Sequence, residues 1–377
     1  MKPIYLDYAA TTPVDPRVAQ AMQACLSMDG NFGNPASLHC YGKAALAAVD
    51  VARAQVAAMI NIEPSTLVWT SGATESNNLA IKGAAHLYRA KGKHLITMKT
   101  EHKSVLDTCQ HLEKEGYQVT YLTPERNGLV NIEQLEAAMR DDTILVSIMQ
   151  VNNETGVMQD LHAIADITNK RGILLHVDAA QSIGKTFLDL QEIPIDLVSL
   201  SAHKVYGPKG IGALYLRKKP RVRVEPLLHG GGHEHGMRSG TLPIHQIVGM
   251  GKAYEIAREE MDGDTIRIKT MRDELVLQLQ RIPNFKLNMD LNLCVPHILS
   301  IRFEGMLADP VLAQLPNVVA STASACQGKG TEGSYVLRAL GLTDEQAKSS
   351  IRFSFGRFLS ESNIEEVIKG FFNLFVK

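Results

Sequence analysis

The chain has 377 residues, 45% of them hydrophobic and 21% charged, with a formal net charge of -1. That length points to about two domains with sizeable cores, and the near-neutral balance provides no global field for nucleic acid or an anionic membrane. The N-terminal stretch meets the acidic Asp7 almost at once, and no segment approaches the roughly 18 consecutive apolar residues of a membrane span, so a cytoplasmic protein with no membrane partner is expected. The five cysteines, Cys25, Cys40, Cys109, Cys294 and Cys326, are odd in number and include no CxxC pair. Neither a metal site nor a disulfide framework is indicated. The first four read as small core hydrophobes.

In chain order, the first dozen residues are strand- and turn-like and are expected to pack at a domain junction. Short apolar runs then alternate with helical patterns: Thr66–Thr70, His94–Met98, Val119–Leu122, Ile144–Ile148, Ile173–Val177, Leu197–Leu200 and Ala213–Leu216. Several are apolar throughout, as in strands covered on both faces. Strands separated by helices predict βαβ units and a mostly parallel, seven-stranded sheet. A charged helical pattern follows over about 244–281. Strand-like runs at Ile298–Arg302 and Ile351–Phe355 then indicate a smaller α+β domain. The expected division is a large domain over 16–250 and a small one built from 1–15 and 251–377.

Three segments carry candidate chemistry. Thr70–Asn78 joins a strand to a helix through small residues, where free backbone N–H groups and the helix dipole can hold a phosphate; an ordinary helix start reads the same way. Asp178 ends a buried strand, where a carboxylate can pair with a protonated pyridine nitrogen or simply cap a helix. Lys204 follows another strand inside Ser199–Gly210; desolvation can lower its pKa and make it a Schiff-base nucleophile, or it is a surface lysine. Each signal is weak alone. Together they place a phosphate cradle, a ring-nitrogen partner and a Schiff-base lysine at the carboxyl ends of strands in one sheet, where such folds bind ligands. That is the parts set for pyridoxal 5'-phosphate.

With Tyr5–Pro13, Asn31–Ser37, Ser71–Ser76, Thr100–Lys103, Asn152–Gly156, Gly230–Glu234, Arg238–Thr241, Ser324–Cys326, Ser334–Gly341 and Ile351–Arg357, the chain resembles, nearly end to end, the NifS/IscS-type cysteine desulfurases, class-V aminotransferases of fold type I. The resemblance implies a PLP-dependent sulfurtransferase that takes sulfur from L-cysteine and releases alanine. It implies Lys204 as the Schiff-base lysine, Asp178 at the pyridine nitrogen and Gln181 at the ring's phenolic oxygen. His102 would stack on the ring and shuttle a proton. Ala73, Thr74, Ser201 and His203 would cradle the phosphate, with Thr241 reaching it from the second copy of a homodimer. Asn153 would touch cofactor and substrate. Arg352 would clamp the substrate carboxylate, a bidentate task suited to a guanidinium, although a strand-end surface arginine reads the same way.

Cys326 sits in Ser321–Gly333, with small residues before it and three glycines within the next seven positions. Such a stretch can bury little apolar surface, so an exposed thiolate near Lys329 is expected rather than a core cysteine. The resemblance makes it the persulfide carrier, which hands sulfur to an acceptor protein. Gln327–Gly330 departs from the usual small polar residues of the IscS group, and His235 stands where relatives often carry arginine. IscS proteins continue past the position of Lys377 with a segment that helps dock the iron–sulfur scaffold. Iron–sulfur assembly, tRNA thiolation and DNA phosphorothioation therefore stay open as destinations. A selenocysteine lyase and a catalytically idle sulfur-transfer scaffold are the alternatives. Direct nucleic-acid binding is not expected, and the basic run Arg217–Arg223 reads as a solvated loop.

Overall fold

The computed structural model describes residues 2–322 and 332–375, so Cys326 lies outside the described residues. The first elements are β1 (Ile4–Tyr5), α1 (Pro16–Gln23), α2 (Cys40–Met59), β2 (Leu67–Thr70), α3 (Ala73–Tyr88), β3 (His94–Met98), α4 (Lys103–Lys114) and β4 (Gln118–Leu122). Next come α5 (Ile132–Ala138), β5 (Thr143–Ser147), α6 (Leu161–Lys170), β6 (Leu174–Asp178), β7 (Leu197–Ser201) and β8 (Gly212–Leu216). The chain closes with α7 (Ile244–Leu279), β9 (Phe285–Leu287), β10 (Ile298–Phe303), α8 (Ala308–Ala313), β11 (Val318–Val319), β12 (Ser321–Thr322), α9 (Tyr335–Ala339), α10 (Asp344–Lys348), β13 (Ser350–Ser354) and α11 (Glu361–Phe375).

All seven expected runs enter one sheet, in the order β2-β8-β7-β6-β5-β3-β4. Strands β7, β6, β5, β3 and β4 pair in parallel, and β8 alone runs against both neighbours. The continuous apolar runs are explained by burial on two faces. Ile96, Val146, Val198 and Ala213 face a core shared with α2, α6 and the start of α7. Their neighbours Leu95, Leu145, Leu197 and Leu214 face a second core shared with α3 and α4. Short polar caps start several helices: Asp15 accepts from Arg17 N–H ahead of Pro16, Asn131 caps α5 and Asp160 caps α6.

A four-stranded antiparallel sheet, β12-β13-β10-β9, packs with α11 and the second half of α7 around a further core. Ile4, Leu6 and Tyr8 belong to that core, β1 pairs in parallel with β11, and Asp7 bridges to Ser354. The N-terminus thus packs with the C-terminal part of the chain. Helix α7 serves both cores. Ile244 to Ala257 line the one under the large sheet, and Ile268 to Leu279 line the other.

One expectation is corrected. Cys25 and Cys109 are buried and Cys294 is half-buried, but Cys40 is exposed. It precedes the buried stripe of α2, formed by Gly42, Ala45, Val49, Ala52 and Val56, and falls off its three-to-four-residue period. Among the described residues no helix is long and apolar enough to cross a membrane.

Candidate active site

A cavity of about 680 Å³ opens where several strands of the large sheet end. Thr70, Asp178 and Ser201 terminate β2, β6 and β7, and Asn153 and His102 lie just beyond β5 and β3. This is the crevice at the carboxyl ends of the strands, where folds of this kind place ligands. Ala73, Thr74, His102, Asn153, Asp178, Gln181, Ser201, His203, Lys204 and Arg352 all line it. Thr241 does not line this cavity and is exposed elsewhere on its own chain.

The wall at Ser71–Thr74 is built for close approach. Gly72 precedes α3 with φ 150° and no side-chain cap, which leaves first-turn N–H groups of α3 without a side-chain acceptor. Gly212 on β8 backs this turn: a Cβ there would stand 2.7 Å from Gly72 Cα, so only glycine fits. Glu75 accepts from Ser71 N–H at 2.7 Å and pairs with Arg238 at 2.9 Å, tying the 238–241 segment to the same turn.

Asp178 is held on both oxygens. Oδ1 accepts from Ala180 N–H at 2.9 Å, and Oδ2 accepts from Asn77 Nδ2 at 2.7 Å. Among the described residues no helix starts between β6 and β7, so the carboxylate closes a turn rather than capping a helix, and it lines the cavity. Asn77 also donates to Ser104 Oγ at 2.8 Å, and the Ser104 hydroxyl and backbone N–H both meet His102 Nδ1, at 2.8 and 3.1 Å. Nδ1 is thereby the acceptor nitrogen, which leaves Nε2 to carry the proton of the neutral ring. Burial pushes the His102 pKa down, Lys204 adds to this, and Asp178 opposes it.

Lys204 Nζ donates to the carbonyls of Ala9 and Ala10 at 2.6 and 2.7 Å. Gln181 Nε2 donates to the same Ala9 carbonyl at 2.8 Å, and its Oε1 accepts from Lys185 Nζ at 2.7 Å. His203 Nδ1 lies 3.2 Å from Thr11 Oγ1, and burial, followed by Lys204, Lys209 and Lys185, brings its pKa down to about 4. Arg352 Nη1 donates to the Asn153 carbonyl at 2.8 Å, and Nη2 donates to Asp7 Oδ1 at 2.8 Å and to Ser321 Oγ at 3.0 Å.

Among the described residues, three buried polar atoms of cavity-lining residues have no partner: Ser201 Oγ, Asn153 Oδ1 and Arg352 Nε. Buried polar groups are nearly always paired, so these atoms mark places for ligand groups. A hydroxyl beside the open start of α3 suits a phosphate. The Asp178 carboxylate suits a protonated ring nitrogen. A guanidinium with a spare N–H suits a carboxylate. The residues present therefore fit pyridoxal phosphate and an amino acid.

Four residues of this site carry no sequence signal of their own: Asn77, Glu75, Lys185 and Asp7. Asn77 and Glu75 lie within the small-residue turn and its helix, and Lys185 follows Gly184 soon after Asp178. Asp7 and Glu75 lie inside Tyr5–Pro13 and Ser71–Ser76, two of the segments that carry the family resemblance.

The family described as aminotransferase class-V matches residues 4–367. A protein named cysteine desulfurase IscS from Enterobacter sp. (strain 638) is 58% identical over 97% of this chain and 91% of its own length. Its namesake from Escherichia coli O139:H28 is likewise 58% identical, over 97% and 91%. A solved structure titled NifS-like protein superposes with a TM-score of 0.92 at 35% identity, covering 99% of both chains. The structure of SspA in complex with cysteine gives 0.83 at 39% identity, over 93% of this chain and 98% of that one.

Proposed function

From the premise that the chain belongs to the class-V aminotransferase family, we propose that it is a cysteine desulfurase. In this reading pyridoxal phosphate is the cofactor, L-cysteine the substrate, and alanine and a persulfide on Cys326 the products. The observation that carries it is the convergence of Lys204, Asp178 and the open start of α3 on one cavity that also holds Arg352.

Bound pyridoxal phosphate supplies the electron sink that makes the amino-acid α-carbon acidic and loosens the C–S bond. The first turn of α3, with Ser201 and His203, holds the phosphate. Asp178, fixed by Asn77 and by Ala180 N–H, keeps the pyridine nitrogen protonated. Lys204 Nζ holds the cofactor and moves the α-proton. Arg352 binds the substrate carboxylate, and Asn153 contacts cofactor and substrate. His102 presents Nε2–H to the cavity for proton transfer. The Cys326 thiolate then attacks the substrate sulfur; the S–S bond forms as the C–S bond breaks, and the released carbon takes a proton to become alanine. The persulfide passes to an acceptor protein serving iron–sulfur assembly, tRNA thiolation or DNA phosphorothioation. Thr241, exposed and off its own cavity wall, supports a homodimer in which each copy completes the other's cradle.

The test is to supply L-cysteine and a reductant to the wild type and to Cys326→Ala, and to quantify sulfide and alanine alongside the visible spectrum. A yellow wild type yielding both products in equal amounts, with a yellow but inactive variant, is the expected result. A fully active variant would remove Cys326 from the reaction and favour selenocysteine lyase chemistry. A wild type that stays colourless with cofactor would overturn the Lys204 assignment.

A further inference from the structure

Lys185 is a buried lysine that the reaction above does not use. It is 8% exposed, in the turn that follows β6. Among the described residues its ammonium makes no ion pair; its contact is the 2.7 Å hydrogen bond to Gln181 Oε1. The charged groups that bear on it are cations, Lys204 and Arg352, and its own charge bears on His203 and His297. Burial, then Lys204 and Arg352, bring its pKa down to about 7. Burying an ammonium without a counter-ion costs several kcal/mol, and an apolar side chain of this length would avoid that cost.

The hydrogen bonds explain what the cation does. Lys185 Nζ donates to Gln181 Oε1, Gln181 Nε2 donates to the Ala9 carbonyl, and the same carbonyl accepts from Lys204 Nζ. An ammonium has donors and no acceptor, whereas a carboxamide has one end of each kind. With Lys185 charged, turning the Gln181 amide over would set N–H against the ammonium and oxygen against the Ala9 carbonyl. Both contacts would be repulsive. The amide therefore stands in one orientation, with one Nε2 hydrogen on Ala9 and the other left for the cavity that Gln181 lines.

We infer that Lys185 is a positioning residue: it locks the Gln181 amide with N–H towards the phenolic oxygen of the cofactor and holds a positive charge behind it. This rests on the pyridoxal-phosphate reading of the site. A donor and a cation on that side favour the ionised ring oxygen, so the bound cofactor gives up its proton at lower pH. That shift is read from the cofactor's own visible band and does not need turnover.

The experiment titrates the visible band of holoenzyme in wild type, Lys185→Met, Lys185→Arg, Gln181→Leu and the Met/Leu double variant. Lys185→Met is expected to raise the midpoint by about one pH unit, the size of a charge interaction at this range in a partly polar interior. Lys185→Arg, which keeps donor and charge, should stay near the wild-type midpoint. Gln181→Leu should shift in the same direction as Lys185→Met, and the double variant should move less than the sum, because the two act as one unit. Lys185→Gln provides a neutral polar replacement, expected to shift like Met, should the apolar variant fail to fold. A wild-type midpoint in Lys185→Met or Lys185→Gln, or fully additive shifts in the double variant, overturns the inference while the cofactor reading stands. A wild type with no visible band overturns both.

Discussion

Arg352 Nη2 and Asp7 Oδ1 lie 2.8 Å apart at the cavity wall, joining β13 to the turn after β1. Arg352 is held by Asn153 and Ser321 as well, while its Nε–H has no partner among the described residues. The guanidinium is thus oriented but not saturated, and the Asp7 charge opposes any incoming carboxylate. Asp7→Asn keeps an acceptor for Nη2 and removes that charge. It is expected to lower KM for L-cysteine by about three- to tenfold, the effect of a partly exposed charge pair near 1 kcal/mol. Arg352→Lys loses the bidentate fork and should raise KM at least about tenfold. Steady-state sulfide release measures both, and a raised KM in Asp7→Asn would show that Asp7 serves only to hold the arginine.

Ser201 Oγ is buried and has no partner among the described residues. Such a hydroxyl costs about 1–3 kcal/mol until it finds a partner. Ser201→Ala is expected to leave the melting temperature of the cofactor-free protein unchanged or higher, yet to weaken cofactor binding by about tenfold. The opposite signs separate a ligand role from a structural one. A lower melting temperature in the cofactor-free variant would mean that Ser201 is paired within the fold.

His176 lies in the middle of the sheet, with Nδ1 2.8 Å from Ser147 Oγ and Nε2 2.9 Å from Ser199 Oγ. Burial brings its pKa from 6.5 down to about 4, against a small opposing pull from Asp178. Between those values the unfolded chain binds the proton and the folded chain does not, so stability falls as pH drops from about 6.5 to about 4. One histidine shifted this far contributes on the order of 3 kcal/mol across that window. His176→Gln should show a correspondingly shallower acid limb than the wild type in urea midpoints of the cofactor-free protein. Parallel limbs would place a protonated His176 in the fold.

The large sheet was legible because its strands are buried on both faces and read as unbroken apolar runs, such as Ile144–Ile148 and Leu197–Leu200. Lys204 and Asp178 stand out as candidates because each follows such a run, and the structure brings both to one cavity. The reading of Gln181 and His102 needed the family resemblance, since a glutamine in a turn or a lone histidine has no distinguishing pattern. The partners that hold these groups were not legible at all. Asn77 reaches Asp178 across 101 residues, and Asp7 reaches Arg352 across 345. A side-chain hydrogen bond of that separation leaves no period and no local composition, because only the tertiary fold brings the two ends together.

Glu234 shows this most clearly. In the sequence it is one residue of Gly230–Gly236, between two histidines. In the structure it is a buried carboxylate that accepts from Arg53 Nη2 at 2.8 Å, from Arg53 Nη1 at 3.0 Å and from Trp69 N–H at 2.8 Å. Arg53 also stands over the Trp69 ring, 5.2 Å from its centroid. Glu234 and His235 both adopt positive φ, 50° and 57°, which the ion pair must hold against local strain. Removing one partner of a buried pair strands the other charge, at a cost of about 3–5 kcal/mol. Glu234→Ala should therefore lower the urea midpoint by that equivalent at unchanged m. It should also weaken cofactor binding, because the segment it anchors continues through Arg238, which grips Glu75 at the Ser71–Thr74 turn, to Thr241. A variant that loses stability but binds cofactor as tightly as the wild type would show that this segment contributes nothing to the cradle.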